Sequence, residues 1–148
     1  MTSETTDTTP VTPGRVVVVL VAALDRRVLP ALQFAVRLPA DRAKAWHVAT
    51  DPNSARDLAV NWMGVGLSSI VLEIHDLTGG SVATTVRRLV EAEAAAGNEV
   101  TIVIPELHLP RWWMPVLHHG YARQIIRDIQ SVPRVTPVLV PYAMTPAY

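Results

Sequence analysis

The sequence predicts an α/β domain built on a five-stranded parallel, doubly wound sheet, and three observations carry that prediction. Short β-branched runs alternate with stretches of helical periodicity, the segments joining them are short, and the first run is apolar at every position. A strand buried on both faces reads that way, because helices cover both sides of a parallel sheet. A chain of 148 residues suits one such domain, and 49% apolar residues is enough to fill its core.

The elements follow in order. Residues 1–14 are rich in Thr, Ser, Pro and acidic residues, with Val11 the only apolar one after the initiator; they bury too little to offset ordering entropy and read as a disordered arm. The domain then occupies 15–148. Val16 to Leu20 is the first strand. Val28, Leu32, Ala35 and Val36 form one face of a helix closed by Pro39. Pro30 fits that helix only if the first turn begins near Arg27 or the helix bends. Lys44 to Ala49 is the second strand, and Asp51-Pro52 reads as an N-cap followed by proline at the first helical position. Ala55, Leu58, Ala59 and Trp62 share a face of that helix. Ser69 to His75 is the third strand, and Gly79-Gly80-Ser81 is a loop ending in an N-cap. Val82, Val86, Leu89, Val90 and Ala94 make the third helix, stopped by Gly97. Val100 to Ile104 is the fourth strand. Leu117, Tyr121, Ile125 and Ile129 make the fourth helix, widened by Ala122 and Ile126. Val135 to Val140 is the fifth strand, placed at a sheet edge by Pro137. Short right-handed crossovers admit two strand orders, 3-2-1-4-5 and 2-1-3-4-5, and in both a ligand would sit beyond the carboxyl ends of the strands at the switch point.

Composition excludes several functions. With 13 basic and 13 acidic residues there is no surplus to neutralise phosphates, so nucleic acid is not an expected partner. The absence of cysteine removes disulfides and thiolate chemistry and suits a reducing, cytoplasmic location. The longest apolar run, Val16 to Leu24, falls short of the about twenty residues a membrane helix needs, so direct membrane insertion is not expected.

The motifs divide into connectors and candidates. Gly64-Val65-Gly66-Leu67-Ser68-Ser69 precedes a strand instead of following one, so it reads as a turn and not as a dinucleotide loop. Gly79-Gly80-Ser81 lies between strand and helix, where its N–H groups would suit an anion; the plainer reading is a connector. Glu106, His108, His118 and His119 invite a metal, but adjacent histidines on a helix point about 100° apart and no i, i+4 histidine pair exists, so none is expected. No serine sits on a nucleophile elbow, and no catalytic residue is assigned. His47 and His75, near the ends of strands two and three, stand at the ligand edge. The unusual stretch is Pro105-Glu106-Leu107-His108-Leu109-Pro110-Arg111-Trp112-Trp113-Met114-Pro115, where prolines favour a fixed loop and the Arg-Trp-Trp triplet offers a surface to a flat ring or a partner.

These features resemble the universal stress protein family: the βαβ order, Asp25 after the first strand, His47-Val48 closing the second, and the Pro-Val-Leu-Val of the last. The Gly-x2-Gly-x9-Gly-[Ser/Thr] loop of its ATP-binding members is absent; Pro105 stands at the first glycine, and Gly120, followed by Tyr121, matches only the last. Ile104-Pro105-Glu106, Pro110-Arg111-Trp112-Trp113 and Leu117-His118-His119 are together similar to the stress-protein-like cytoplasmic C-terminal domain of bacterial APC-superfamily permeases. In potassium-importing relatives that domain is linked to cyclic di-AMP control. We adopt the order 3-2-1-4-5, a three-layer α/β/α, Rossmann-like arrangement of the adenine nucleotide alpha hydrolase-like kind.

The resemblance and the switch point together imply a regulatory domain without catalysis, binding ATP, AMP or cyclic di-AMP as a ligand and needing no cofactor. Adenine would lie near Ala23, Asp25, His47 and Val48, and the phosphates near Pro105, Glu106, Arg111 and Gly120. A homodimer through the last strand is expected. The alternative is an interaction module without nucleotide, docking a partner such as a membrane transporter through Trp112, Trp113, Val138 and Val140.

Overall fold

A computed structural model describes residues 14–22, 28–64, 66, 69–108 and 120–143, and for 106–108, 120–122 and 141–143 the backbone alone. The order is β1 (Arg15–Leu20), α1 (Leu29–Arg37), β2 (Arg42–Ala49), α2 (Pro52–Met63), β3 (Val71–Asp76), α3 (Val82–Ala95), β4 (Glu99–His108), α4 (Gly120–Ile129) and β5 (Val135–Ala143). The five strands form one sheet in the order β3-β2-β1-β4-β5, parallel throughout. The adopted strand order holds. Residues 1–13, most of the arm, lie outside the described residues, while Gly14 is tied to the sheet: its N–H donates to Asn98 Oδ1 at 3.1 Å and its carbonyl accepts from Glu99 N–H.

The valine run explains the centre of the fold. In a strand successive side chains alternate faces, so Val16, Val18 and Leu20 enter one core with Val86 and Val90 of α3 and Ile125 and Ile129 of α4. Val17 and Val19 enter the other with Ala31, Leu32 and Ala35 of α1 and Leu58 of α2. The two cores make three layers.

Local chemistry sets the helix ends. Asp51 caps α2 by accepting from Asn53 N–H at 3.0 Å, and Ser81 caps α3 by accepting from Thr84 N–H at 3.0 Å. Gly97 follows α3 with φ of 90°, a backbone shape that glycine adopts without penalty. Pro30 falls in the first turn of α1, where its missing N–H has no acceptor to lose. Arg87 joins two helices, donating from Nη1 to the Asp128 carbonyl in the last turn of α4 at 2.7 Å.

Several boundaries differ from the sequence reading: β1 starts at Arg15 and β5 runs on to Ala143. β2 starts at Arg42, and β3 runs Val71–Asp76. Val36 is 44% exposed, because Ala31 supplies the buried face of α1 in its stead. The largest difference is β4, which continues through Pro105 to His108 because β5 runs beside it, pairing Pro105 with Val140 and His108 with Ala143. The segment assigned to a loop therefore begins as strand.

Ile102 is fully buried at the centre of the sheet. Ile102→Ala is expected to destabilise the domain by about 3 kcal/mol through lost transfer energy and the cavity left behind. Urea unfolding checks this as a lowered midpoint with an unchanged slope.

Candidate ligand crevice at the carboxyl end of the sheet

The place where a doubly wound sheet takes a ligand is the carboxyl end of the strands, where the pairing of β1 with β4 stops. Glu99 N–H donates to the Gly14 carbonyl at 2.9 Å, which makes the odd residues of β4 the donors to β1. Their paired register ends at Val19 opposite Val103. The next donor would be residue 105, and proline has no N–H. Pro105 thus removes the rung that would close the gap, while β4 stays paired with β5 through His108. At about 3.3 Å per residue, Pro105–His108 continue β4 for roughly 13 Å beyond its pairing with β1, beside β5 alone.

Val21 and His47 form the other side. Val21 N–H donates to the Trp46 carbonyl at 2.9 Å, and His47 Nδ1 lies 2.8 Å from the Val21 carbonyl. A carbonyl only accepts, so this contact assigns the proton to Nδ1 and leaves Nε2 of the neutral ring as the acceptor. His47 is buried, and its Nε2 has no partner among the described residues. A buried polar atom left without a partner is costly.

The expected site residues distribute as follows. His47 and Val48 adjoin on β2 but face opposite layers: Ala45, on the same face as His47, packs in the α1–α2 core, and Val48 packs against the α3–α4 core. Pro105 lies beside Val140 on β5, Glu106 pairs through its backbone with Pro141, and Gly120 is the first residue of α4. Val138 lies opposite Val103, and Val138 and Val140 are half-buried. Ala23, Asp25, Arg111, Trp112 and Trp113 lie outside the described residues, as do His118, His119 and the side chains of Glu106 and His108. In Gly79-Gly80-Ser81 the Ser81 hydroxyl caps α3 by accepting from Thr84 N–H, and the neighbouring Thr78 N–H donates to the Thr85 hydroxyl at 2.8 Å.

One polar cluster was missed by sequence reasoning. On the α3 side of β2, the Lys44 ammonium sits 2.9 Å from Glu93 and 3.4 Å from Glu73. Trp46 Nε1 donates to Glu73 at 2.9 Å, and the ring of His75 meets Trp46 edge-on with centroids 5.8 Å apart. The available signal was Lys44 itself, the chain's one lysine, two residues from Trp46 on a strand face. Burial alone would push the Lys44 ammonium down, but Glu93 and Glu73 outweigh it and hold it above its ordinary value. Burial would likewise push Glu93 up, but the hydrogen bonds from Lys44 and Asn98, with the charges of Lys44 and Arg42, hold it below.

The sign of the pH dependence follows. A carboxylate depressed in the fold contributes stability above its ordinary pKa, about 4.3 for glutamate, and loses it as pH falls through the folded value. A raised lysine contributes below its ordinary value and loses it as pH rises through the folded one. Glu93→Gln should therefore lower stability at pH 7 and flatten the loss on acidification below about pH 4.3, which unfolding midpoints measured at pH 3 to 7 will show.

No curated protein matches the chain. A family model described as the KimA potassium transporter C-terminal domain matches residues 13–142. No helix among the described residues is long and apolar enough to cross a membrane. The match extends from the residue before Gly14 to the penultimate residue of β5, taking in all five strands but for Ala143. The chain belongs to the family of KimA potassium transporter C-terminal domains.

Proposed function

We propose that this domain is the regulatory part of a potassium transport system, without chemistry of its own, and that it binds an adenine nucleotide: ATP, AMP or cyclic di-AMP. The observation that carries the reading is His47 Nε2, a buried acceptor with no partner among the described residues, fixed by the Nδ1 contact to Val21. It lies on β2 beside the carboxyl end of β1, where a ligand binds in a doubly wound sheet. The exocyclic amine of adenine is a donor of the kind this nitrogen lacks. Pro105 supports the reading because, lacking an N–H, it offers β1 no hydrogen bond past Val103. The universal stress protein likeness belongs to the same proposal. So do adenine near Ala23, Asp25, His47 and Val48, and phosphates near Pro105, Glu106, Arg111 and Gly120.

A second reading, favoured by membership of a transporter family, makes the domain an interaction module that contacts the transporter through Trp112 and Trp113 or the last strand. Loss of association in Trp112→Ala and Trp113→Ala, with no effect of Asp25→Ala, is its signature.

Titration calorimetry with ATP, AMP and cyclic di-AMP tests the first reading. Heat and a raised melting temperature are expected with at least one of them. His47→Phe fills the ring's space without the acceptor and should weaken that binding about tenfold or more. Absence of heat and of any melting shift with all three removes the nucleotide.

A further inference from the structure

The two helix layers differ in charge. Val86 and Val90 of α3 and Ile125 and Ile129 of α4 are fully buried against the sheet. Each residue advances an α-helix by about 100°, so a position two residues away lies about 200° round, on the outer side. Arg88 is two residues from both Val86 and Val90, and Arg127 is two from both Ile125 and Ile129. Arg123 is two from Ile125 and stands one turn before Arg127. All three arginines are exposed, and none has an ion pair among the described residues.

The carboxylates of these helices do little to offset them. Arg87 lies between α3 and α4, donating from Nη1 to the Asp128 carbonyl and from Nε to Glu91 at 3.1 Å, so it holds the helices together and neutralises Glu91. Glu93 turns inward to Lys44. Asp128, half-buried, is the one acidic residue of α4. The α1–α2 layer is balanced instead: Arg37 and Arg56 are met by Asp57 and by the cap Asp51. The chain carries no net charge, so the surplus belongs to one face.

We propose that the outer face of α3 and α4 docks on the anionic headgroups of a lipid bilayer. A guanidinium pairs phosphate oxygens through two parallel N–H bonds and sheds water more readily than an ammonium. Arg123 and Arg127 stand about 6 Å apart along α4, and Arg88 stands on a second helix whose axis lies roughly 8–10 Å away. Such a spread suits a plane of phosphates better than a single one. The large apolar side chains exposed among the described residues all lie elsewhere, on α1, α2, β3 and the residue after β3, so the contact is electrostatic and superficial, without insertion. An acidic protein is the other anionic partner, but the chain belongs to a family of transporter domains, for which a bilayer is the anionic surface close at hand. The proposal goes beyond the nucleotide reading and does not depend on it.

The test uses the 148-residue chain and vesicles. The chain should sediment with phosphatidylcholine vesicles that carry about 40% phosphatidylglycerol and not with phosphatidylcholine alone, because each arginine near an anionic surface contributes roughly fivefold. Arg123→Gln with Arg127→Gln should weaken partition about thirtyfold, with a melting temperature near the parent's, since both side chains are exposed. Arg37→Gln with Arg56→Gln removes the same charge from the opposite layer and should change partition by less than about threefold. Raising salt from about 0.1 M to about 1 M shortens the screening length from about 10 Å to about 3 Å and should release the domain. Three outcomes overturn the proposal: no sedimentation with the anionic vesicles at low salt, an equal loss in the Arg37 and Arg56 variant, or capture on polyglutamate without vesicle binding. The last assigns the face to an acidic protein. Nucleotide titration of the same samples keeps the readings apart: a chain that binds nucleotide but no vesicle sinks only the docking face, and one that binds vesicles but no nucleotide sinks only the ligand.

Discussion

Val19 and Val103 make the last registered pair between the two central strands, and what lies at the carboxyl end of the sheet depends on it. Up to that rung β1 is walled in on four sides, by β2, by β4 and by a helix layer above and below, which is why its interior positions are valine and leucine. Beyond the rung, Pro105 offers no donor and the ladder stops. β4 does not stop, because its other flank is held by β5 through His108. One residue without an N–H thus ends the ladder between the two central strands, while the outer pair continues.

Most of the architecture was legible because local and global signals agree. Asp51-Pro52, Ser81 and Gly97 each mark a helix end by a mechanism confined to a few residues. Pro137 marked an edge because a missing N–H is tolerated only there. What escaped was whatever depends on a distant partner. The periodicity of β4 did not say that Pro105 stays in the strand, since only the presence of β5 alongside makes that possible. The choice between strand orders turned on whether the crossover after β3 passes back over the sheet to place β4 beside β1, and no local pattern encodes that. The site was half legible. His47 stood out as a histidine near a strand end, but its anchoring contact to Val21 joins two strands and could not be read from either alone.

The polar cluster on the α3 face shows the same dependence. Lys44 in a strand reads as an edge charge or a misfit, yet two carboxylates from β3 and α3 converge on it, and Trp46 and His75 complete the arrangement. Half-buried charges survive there because each has a hydrogen-bonded counterpart. The cluster also fixes β3 laterally: Glu73 takes Lys44 and Trp46 from the neighbouring strand, so the edge strand is tied down by side chains as well as by its ladder.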